Sequence, residues 1–206
     1  MSDTSIETST RGPAEHAVRD QIIVAAHECF ARYGYAKKRP WPIWPGRSAF
    51  SKAYIYRFFE SKQAIGEAIC SSCLAKIVAE ARASIDVSGS SAEHFRRLFQ
   101  DYHDTECRTL FFQDRKLYDI AAHSAAEGWG SAMSYRQTLR EMLEEIVRRG
   151  RESGEFERKT PLDETCRAIF YAMSPFVDPL QLERNLDLLP DGQAELTSLI
   201  LRSLAP

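Results

Sequence analysis

Apolar residues recur every three to four positions in eight separate stretches of the chain, and this spacing is typical of amphipathic helices. Serine, threonine or proline begins several of the stretches, and glycine ends others. No stretch alternates with a period of two, and no hairpin dipeptide joins two such runs. The sequence therefore predicts an all-α protein with helices near residues 18–34, 51–59, 61–87, 92–104, 107–126, 131–149, 161–174 and 191–204.

Composition fits a folded domain without a membrane span. The 206 residues are 44% hydrophobic and 27% charged, and the longest apolar runs, such as Ile22 to Ala26, are far too short to cross a bilayer. No secretory signal is visible at the N-terminus, and five scattered cysteines do not form a disulfide framework. We therefore expect a cytoplasmic protein with no membrane partner.

Charge is distributed unevenly along the chain, although the formal net charge is only −2. Residues 1–65 carry a balance of +4, and residues 66–206 a balance of −6. A small basic segment attached to an acidic body favours a surface that contacts nucleic acid. A solvated basic face with no partner is the alternative.

An ordered set of motifs lies in the first third of the chain. It begins with Ile22-x-x-Ala25-Ala26-x-x-x-Phe30-x-x-x-Gly34-Tyr35. It continues with the segment 50–59, FSKAYIYRFF, and ends with Ser61, Lys62 and Ile65. This order resembles the TetR family of bacterial transcriptional regulators. The match covers about 50 residues and is most specific in its second half; the remaining chain is similar in length and helical layout.

The resemblance implies a three-helix DNA-binding head and a helical body that binds ligand and dimerises. We assign residues 1–17 to a flexible arm, 18–65 to the helix-turn-helix domain and 66–206 to the body. Ser51 would cap the recognition helix, while Ile55, Phe58 and Phe59 pack inward. The predicted contacts to double-stranded operator DNA are Lys37, Lys38, Ser51, Lys52, Tyr54, Tyr56, Arg57 and Lys62. A packed aromatic helix without a DNA role is the alternative for the segment 54–59.

The body is rich in large side chains, a subset of which would line a cavity for a small, largely apolar effector. The predicted lining residues are Phe112, Tyr118, His123, Met133 and Phe170. The resemblance also implies that the last two helices, 161–174 and 191–204, form a four-helix interface in a homodimer. Such a protein would act as a repressor that is released from its operator by ligand.

One segment departs from the family pattern. Pro40, Pro42 and Pro45 fall where the first helix of the helix-turn-helix should lie, and each interior proline costs ~3 kcal/mol of helix stability. Read one base out of register, Trp41 to Pro45 becomes Val/Leu/Met-Ala-Asp/Asn/His/Tyr-Leu/Met-Ala, which is similar to the family's missing helix. We therefore hypothesise a frame slip between Lys38 and Ala49, which the codons of the coding DNA would support or refute. If the printed residues are those of the protein, weak operator binding by an intact ligand-binding protein is the alternative function.

Other chemistry-bearing residues form no recognisable catalytic or metal-binding pattern. Cys70 and Cys73 share a helix without further ligands at zinc spacing, so we interpret them as buried helix residues. His94, His103 and His123 are scattered, and no nucleophile, phosphate-binding or dinucleotide motif occurs. We expect no cofactor and no metal, and an all-helical enzyme is the least favoured function.

Overall fold

The computed structural model describes residues 11–35, 51–101 and 115–206, which form helices and turns without any strand. The fold is all-α, as the sequence predicts. The helices are α1 (Arg11–Tyr33), α2 (Lys52–Ile55), α3 (Lys62–Ile85), α4 (Ser91–Arg96), α5 (Arg115–Ala126), α6 (Gly130–Ser153), α7 (Leu162–Val177), α8 (Pro179–Leu182) and α9 (Asp191–Ser203). A π-helical turn, Arg97–Asp101, follows α4, and a 3₁₀ turn, Glu183–Leu188, follows α8.

Helix α3 connects the N-terminal head with the body. Its 24 residues span about 36 Å at the rise of an α-helix. Ile65 is buried at the head end, and Leu74 and Ile77 are buried farther along. These side chains belong to one continuous core that also contains Ile22 of α1. The head and the body therefore share a hydrophobic core.

The body is built around α6, which packs against α3 and α7. Five apolar residues at helical spacing form a buried stripe on this helix: Leu139, Met142, Leu143, Ile146 and Val147. Helix α9 packs against α7 and against the π-helical turn. Among the described residues, no helix combines the length and hydropathy that a membrane crossing requires.

The structure corrects several predicted boundaries. Helix α1 begins at Arg11, before the predicted helix start near residue 18. Of the helix predicted over residues 92–104, the described part is α-helical to Arg96 and π-helical from Arg97 to Asp101. Of the helix predicted over 107–126, the described part begins at Arg115. The segment 107–114, which includes Phe112, lies outside the described residues.

Pro175 does not end α7, contrary to prediction, because the helix continues to Val177. A proline leaves one carbonyl of the preceding turn without its N–H partner. Here the Ser174 hydroxyl donates to the Tyr171 carbonyl at 2.8 Å and replaces the missing bond. The Asp178 N–H donates to the Ser174 carbonyl at 2.9 Å and completes the last turn.

The predicted end of α6 near residue 149 is too early, because Gly150 lies within this helix, which continues to Ser153 and has Gly154 as its C-cap. A Cβ atom at residue 150 would lie 2.2 Å from Cδ2 of Phe156. The glycine therefore allows the Phe156 ring to pack directly on the helix backbone. Gly154 has a φ of +81°, a conformation that glycine adopts at little cost at helix ends.

The buried stripe of α9 also differs from the prediction. The sequence favours Leu196, Leu199, Ile200 and Leu204 as the inner face, but Leu199 is 56% exposed. Gln193 and Thr197 instead join Ile200 and Leu204 in the interior. The body therefore buries two polar side chains on one face of its last helix.

Candidate nucleic-acid interface and effector site

Helix α2 and the turns after it form the predicted recognition element. The Ser51 hydroxyl accepts a hydrogen bond from the Tyr54 N–H at 3.2 Å and caps the helix, as predicted from its sequence position. Ile55 is completely buried and Phe59 is 2% exposed. These two side chains anchor the element in the shared core.

The outward side of this element carries cationic and aromatic groups. Lys52, Tyr56 and Arg57 are exposed, and the Lys52 ammonium lies 5.9 Å from the centroid of the Tyr56 ring. Tyr54 is half-buried and packs edge-on against Phe58, with ring centroids 5.3 Å apart. Tyr54 therefore points less freely outward, and Phe58 less deeply inward, than the sequence predicts.

Arg19 of α1 holds the end of the recognition element. Its guanidinium lies 4.4 Å from the centroid of the Phe59 ring and donates to the Phe58 carbonyl at 3.4 Å. The cation thus contacts both an anchor side chain and a main-chain acceptor of the same turn. Nothing in the local sequence distinguishes this arginine from other exposed cations, so sequence reasoning missed it.

Lys62 faces the head interior. Its ammonium donates to the Tyr35 carbonyl at 2.5 Å and lies 4.4 Å from the centroid of the Tyr35 ring. Burial lowers the pKa of Lys62, and the nearby Cys29 thiol partly offsets that shift. Lys62 therefore links the beginning of α3 to the end of α1, and a phosphate contact by this group stays a prediction. Lys37 and Lys38 lie outside the described residues.

An aromatic junction, defined here as Tyr35, His123 and Trp129, joins the head to the body. The Tyr35 ring lies 5.2 Å from the His123 ring and 5.4 Å from the Trp129 ring, measured between centroids. Gly66 of α3 lies directly beside it. A Cβ atom at residue 66 would be 2.8 Å from Cε2 of Tyr35 and 3.0 Å from the Trp129 ring. The junction therefore requires a residue without a side chain at this turn of α3.

Polar contacts reinforce the junction. The Glu67 carboxylate accepts hydrogen bonds from the N–H groups of Gly130 at 2.8 Å and Ser131 at 3.2 Å. It thus binds the positive N-terminus of α6. The Ser124 and Ser131 hydroxyls lie 3.0 Å apart. Burial raises the pKa of the Cys70 thiol. Hydrogen bonds from the same two hydroxyls lower this pKa, but by less than burial raises it. Cys70 is buried as predicted, and Cys73 is half-buried.

Four of the five predicted effector-binding residues, all but Phe112, lie within the described ranges. The buried Tyr118 hydroxyl donates to the Pro179 carbonyl and accepts from the Glu183 N–H at 2.9 Å. His123 belongs to the aromatic junction. Met133 is 61% exposed and lines an open groove on α6, while the Phe170 ring is buried under the Arg140 guanidinium at 4.6 Å.

No group of three or more His, Cys, Asp or Glu side chains in the described ranges is arranged to hold a metal ion. Those ranges form a capped recognition element, a head–body junction and a body with two buried polar groups.

Replacing Ser51 with Ala should destabilise the recognition element without unfolding the body. Loss of an N-cap costs about 1 kcal/mol, which corresponds to about fivefold faster opening of the capped turn. We therefore expect hydrogen exchange at the Tyr54 amide, measured by NMR, to be about fivefold faster in Ser51→Ala. Ser51→Asn keeps a side-chain acceptor and should exchange at the rate of the unaltered protein.

Ser61→Ala provides the matched control, because Ser61 caps α3 through the Ala64 N–H at 3.0 Å. Its effect should appear at Ala64 and not at Tyr54. Unchanged exchange at Tyr54 in Ser51→Ala would show that the cap does not hold the element.

Comparisons with known proteins agree with this architecture. Residues 91–195, just over half of the chain, match the family described as "Tetracyclin repressor-like, C-terminal domain". No curated protein sequence matches the chain. The solved structure of the fatty acid degradation regulator FadR from Bacillus halodurans is similar, with a TM-score of 0.59 and 19% identity over 89% of this chain and 94% of that one.

A protein of unknown function from Rhodococcus sp. RHA1 is also similar, with a TM-score of 0.57 and 12% identity over 98% of this chain and 100% of that one. At these identities the two structures support the fold alone. The family match covers most of the body, where the sequence motifs named above do not occur. The chain belongs to the TetR family of transcriptional regulators.

Proposed function

We propose that the protein is a homodimeric transcriptional repressor that binds operator DNA through α2 and is released by a small, largely apolar effector. The observation that carries this proposal is the two-sided recognition element. Ile55 and Phe59 are buried anchors, while Lys52, Tyr56 and Arg57 are exposed on the opposite side. Such an element can present cations to DNA without losing its attachment to the head.

The exposed groups suit a DNA duplex chemically. Lys52 and Arg57 supply positive charge for phosphates or for acceptors on base edges, and the Tyr56 hydroxyl can donate to a phosphate oxygen. The Ser51 cap fixes the first turn, which is the part of a recognition helix that enters the major groove. Arg19 fixes the other end through Phe59.

Dimerisation would use the outward faces of α7 and α9. Tyr171 is 63% exposed on α7, and Leu199 is 56% exposed on α9. Ala168 and Ala172 flank Tyr171 and are exposed as well, so a partner helix could approach closely. Two-fold symmetry would place two recognition elements on the two halves of a palindromic site.

Effector control would act through the aromatic junction. His123 lies on α5 in the body, and Tyr35 follows α1 in the head, so a displacement of α5 moves a direct neighbour of the head. Allosteric release requires that the effector prefer one of two arrangements of these elements. The similar regulator from Bacillus halodurans supports a regulatory role for this fold.

A ligand-binding protein with impaired DNA binding is the second candidate. The three prolines between α1 and α2 favour it, because a helix at that position would lose ~3 kcal/mol for each interior proline. In this alternative, the body keeps its effector site and the recognition element has no operator to bind.

Selection from a random library of DNA duplexes, followed by fluorescence anisotropy, distinguishes the two candidates. We expect a palindromic consensus bound by the full chain, with an affinity that falls steeply as salt rises. Lys52→Ala and Arg57→Ala should each weaken binding roughly tenfold, and loss of a phosphate contact should reduce the salt slope by about 0.9.

Lys76→Ala is the matched control, because Lys76 is an exposed lysine on the same α3 helix as Lys62, about 21 Å farther along it. The Lys76→Ala variant should bind DNA with the affinity of the unaltered protein. Failure of the full chain to enrich any sequence would reject the repressor and support the second candidate.

The dimer interface can be tested by sedimentation velocity. Tyr171→Glu combined with Leu199→Glu should convert the dimer to a monomer, because burial of an unpaired carboxylate at an interface is strongly unfavourable. Val87→Glu is the control, since Val87 is 54% exposed in the turn after α3, outside α7 and α9. A double variant that dimerises like the unaltered protein would place the interface elsewhere.

A further inference from the structure

Two buried polar groups on α9 have no hydrogen-bond partner within the structure as described. They are Nε2 of Gln193 and Oγ1 of Thr197, in side chains that are 2% and 0% exposed. A buried donor left without an acceptor usually costs about as much free energy as a lost hydrogen bond, and native structures contain few of them. Two such groups one helical turn apart therefore require an explanation.

The position of the pair is consistent with a ligand site. Gln193 and Thr197 are four residues apart, so they lie on the same face of α9. This helix packs against α7 and the π-helical turn Arg97–Asp101. The surrounding elements contribute buried apolar side chains, including Phe99 of the turn and Phe176 of α7. π-Helical segments are rare and occur frequently at functional sites.

The charges nearby favour a neutral ligand group. The Arg97 guanidinium donates to the Val87 carbonyl at 3.3 Å, and Arg167 of α7 is exposed and donates to Asp163 at 3.4 Å. Arg202 of α9 is exposed as well. The 3₁₀ turn Glu183–Leu188 also packs against α9, and its Arg184 is exposed. None of these four arginines forms a hydrogen bond with Nε2 of Gln193 or Oγ1 of Thr197. An amide N–H and a hydroxyl both donate to an uncharged oxygen.

We propose that Gln193 and Thr197 bind the carbonyl oxygen of an uncharged, otherwise apolar effector, such as a ketone or an ester. This proposal rests on the proposed function and identifies the chemical class of its effector. The donors remain unpaired in the free protein and gain an acceptor when the ligand binds. An apolar molecule without an acceptor gains nothing from them, so the pair would provide selectivity as well as affinity.

The variant Gln193→Leu/Thr197→Val tests the proposal, since it replaces both groups with apolar side chains of similar size. Removal of unpaired buried donors should raise Tm of the ligand-free protein by roughly 2–4 °C. Ser72→Val is the control, because Ser72 is exposed on α3, outside α7 and α9, and its replacement should leave ligand affinity unchanged.

Isothermal titration calorimetry with 2-alkanones of six to twelve carbons supplies the second measurement. We expect at least one of these ketones to bind the unaltered protein, alkylammonium ions of equal length not to bind, and carboxylates to bind more weakly. The double variant should lose about tenfold or more in ketone affinity. A lower Tm would show that the groups are paired within the protein and would overturn the proposal. Unchanged ketone affinity, or no ketone binding at all, would overturn it equally.

A measurement of DNA binding distinguishes failure of this ligand site from failure of the proposed repressor function. Without ketone, the double variant should bind a selected operator as tightly as the unaltered protein. Loss of ketone binding with DNA binding intact would support the site. Ketone binding by a protein that enriches no DNA would retain the site and reject the repressor.

Discussion

The close approach of Tyr35 and Trp129 to the backbone of Gly66 is the constraint on which the arrangement of head and body depends. Any side chain at residue 66 would overlap these rings, with a Cβ atom only 2.8 Å from Tyr35. The rings belong to different parts of the chain, one after α1 and one before α6, so α3 brings them together. The residue after Gly66 is Glu67, and its carboxylate binds the N-terminus of α6. Two consecutive residues of α3 thus join the head to the body.

This arrangement explains how a recognition helix of four residues can be held in place. Short helices are unstable alone, because few internal bonds compensate for the ordering of the chain. Ile55 and Phe59 instead secure it in the core that α3 extends into the body, and Arg19 binds its final turn. Its exposed face is then available for contacts that need not contribute to folding. The buried side of this element contributes to stability, and its exposed side is the proposed DNA-binding surface.

The sequence predicted those features that depend on local spacing. The α6 stripe from Leu139 to Val147 follows from helical period, and the Ser51 and Ser61 caps follow from the preference of short polar side chains for helix starts. Features that depend on distant partners could not be predicted in this way. The role of Arg19 depends on a turn 39 residues away. The continuation of α7 through Pro175 is a local feature, but it depends on a Ser174 hydroxyl bond that helical spacing does not specify. On α9, periodicity identified Ile200 and Leu204 as buried, but it included the exposed Leu199 and missed the polar Gln193 and Thr197.

Hydrogen exchange in Gly66→Ala tests most directly whether the aromatic junction unites head and body. Overpacking of this kind costs about 1–3 kcal/mol. We therefore expect faster exchange in both the recognition element, residues 52–59, and the α5–α6 connection, residues 123–131. Gly130→Ala is the comparison, because its added Cβ atom would meet nothing closer than Glu67 Oε1 at 3.8 Å. Faster exchange confined to α3 around residue 66 would show that head and body do not depend on the aromatic junction.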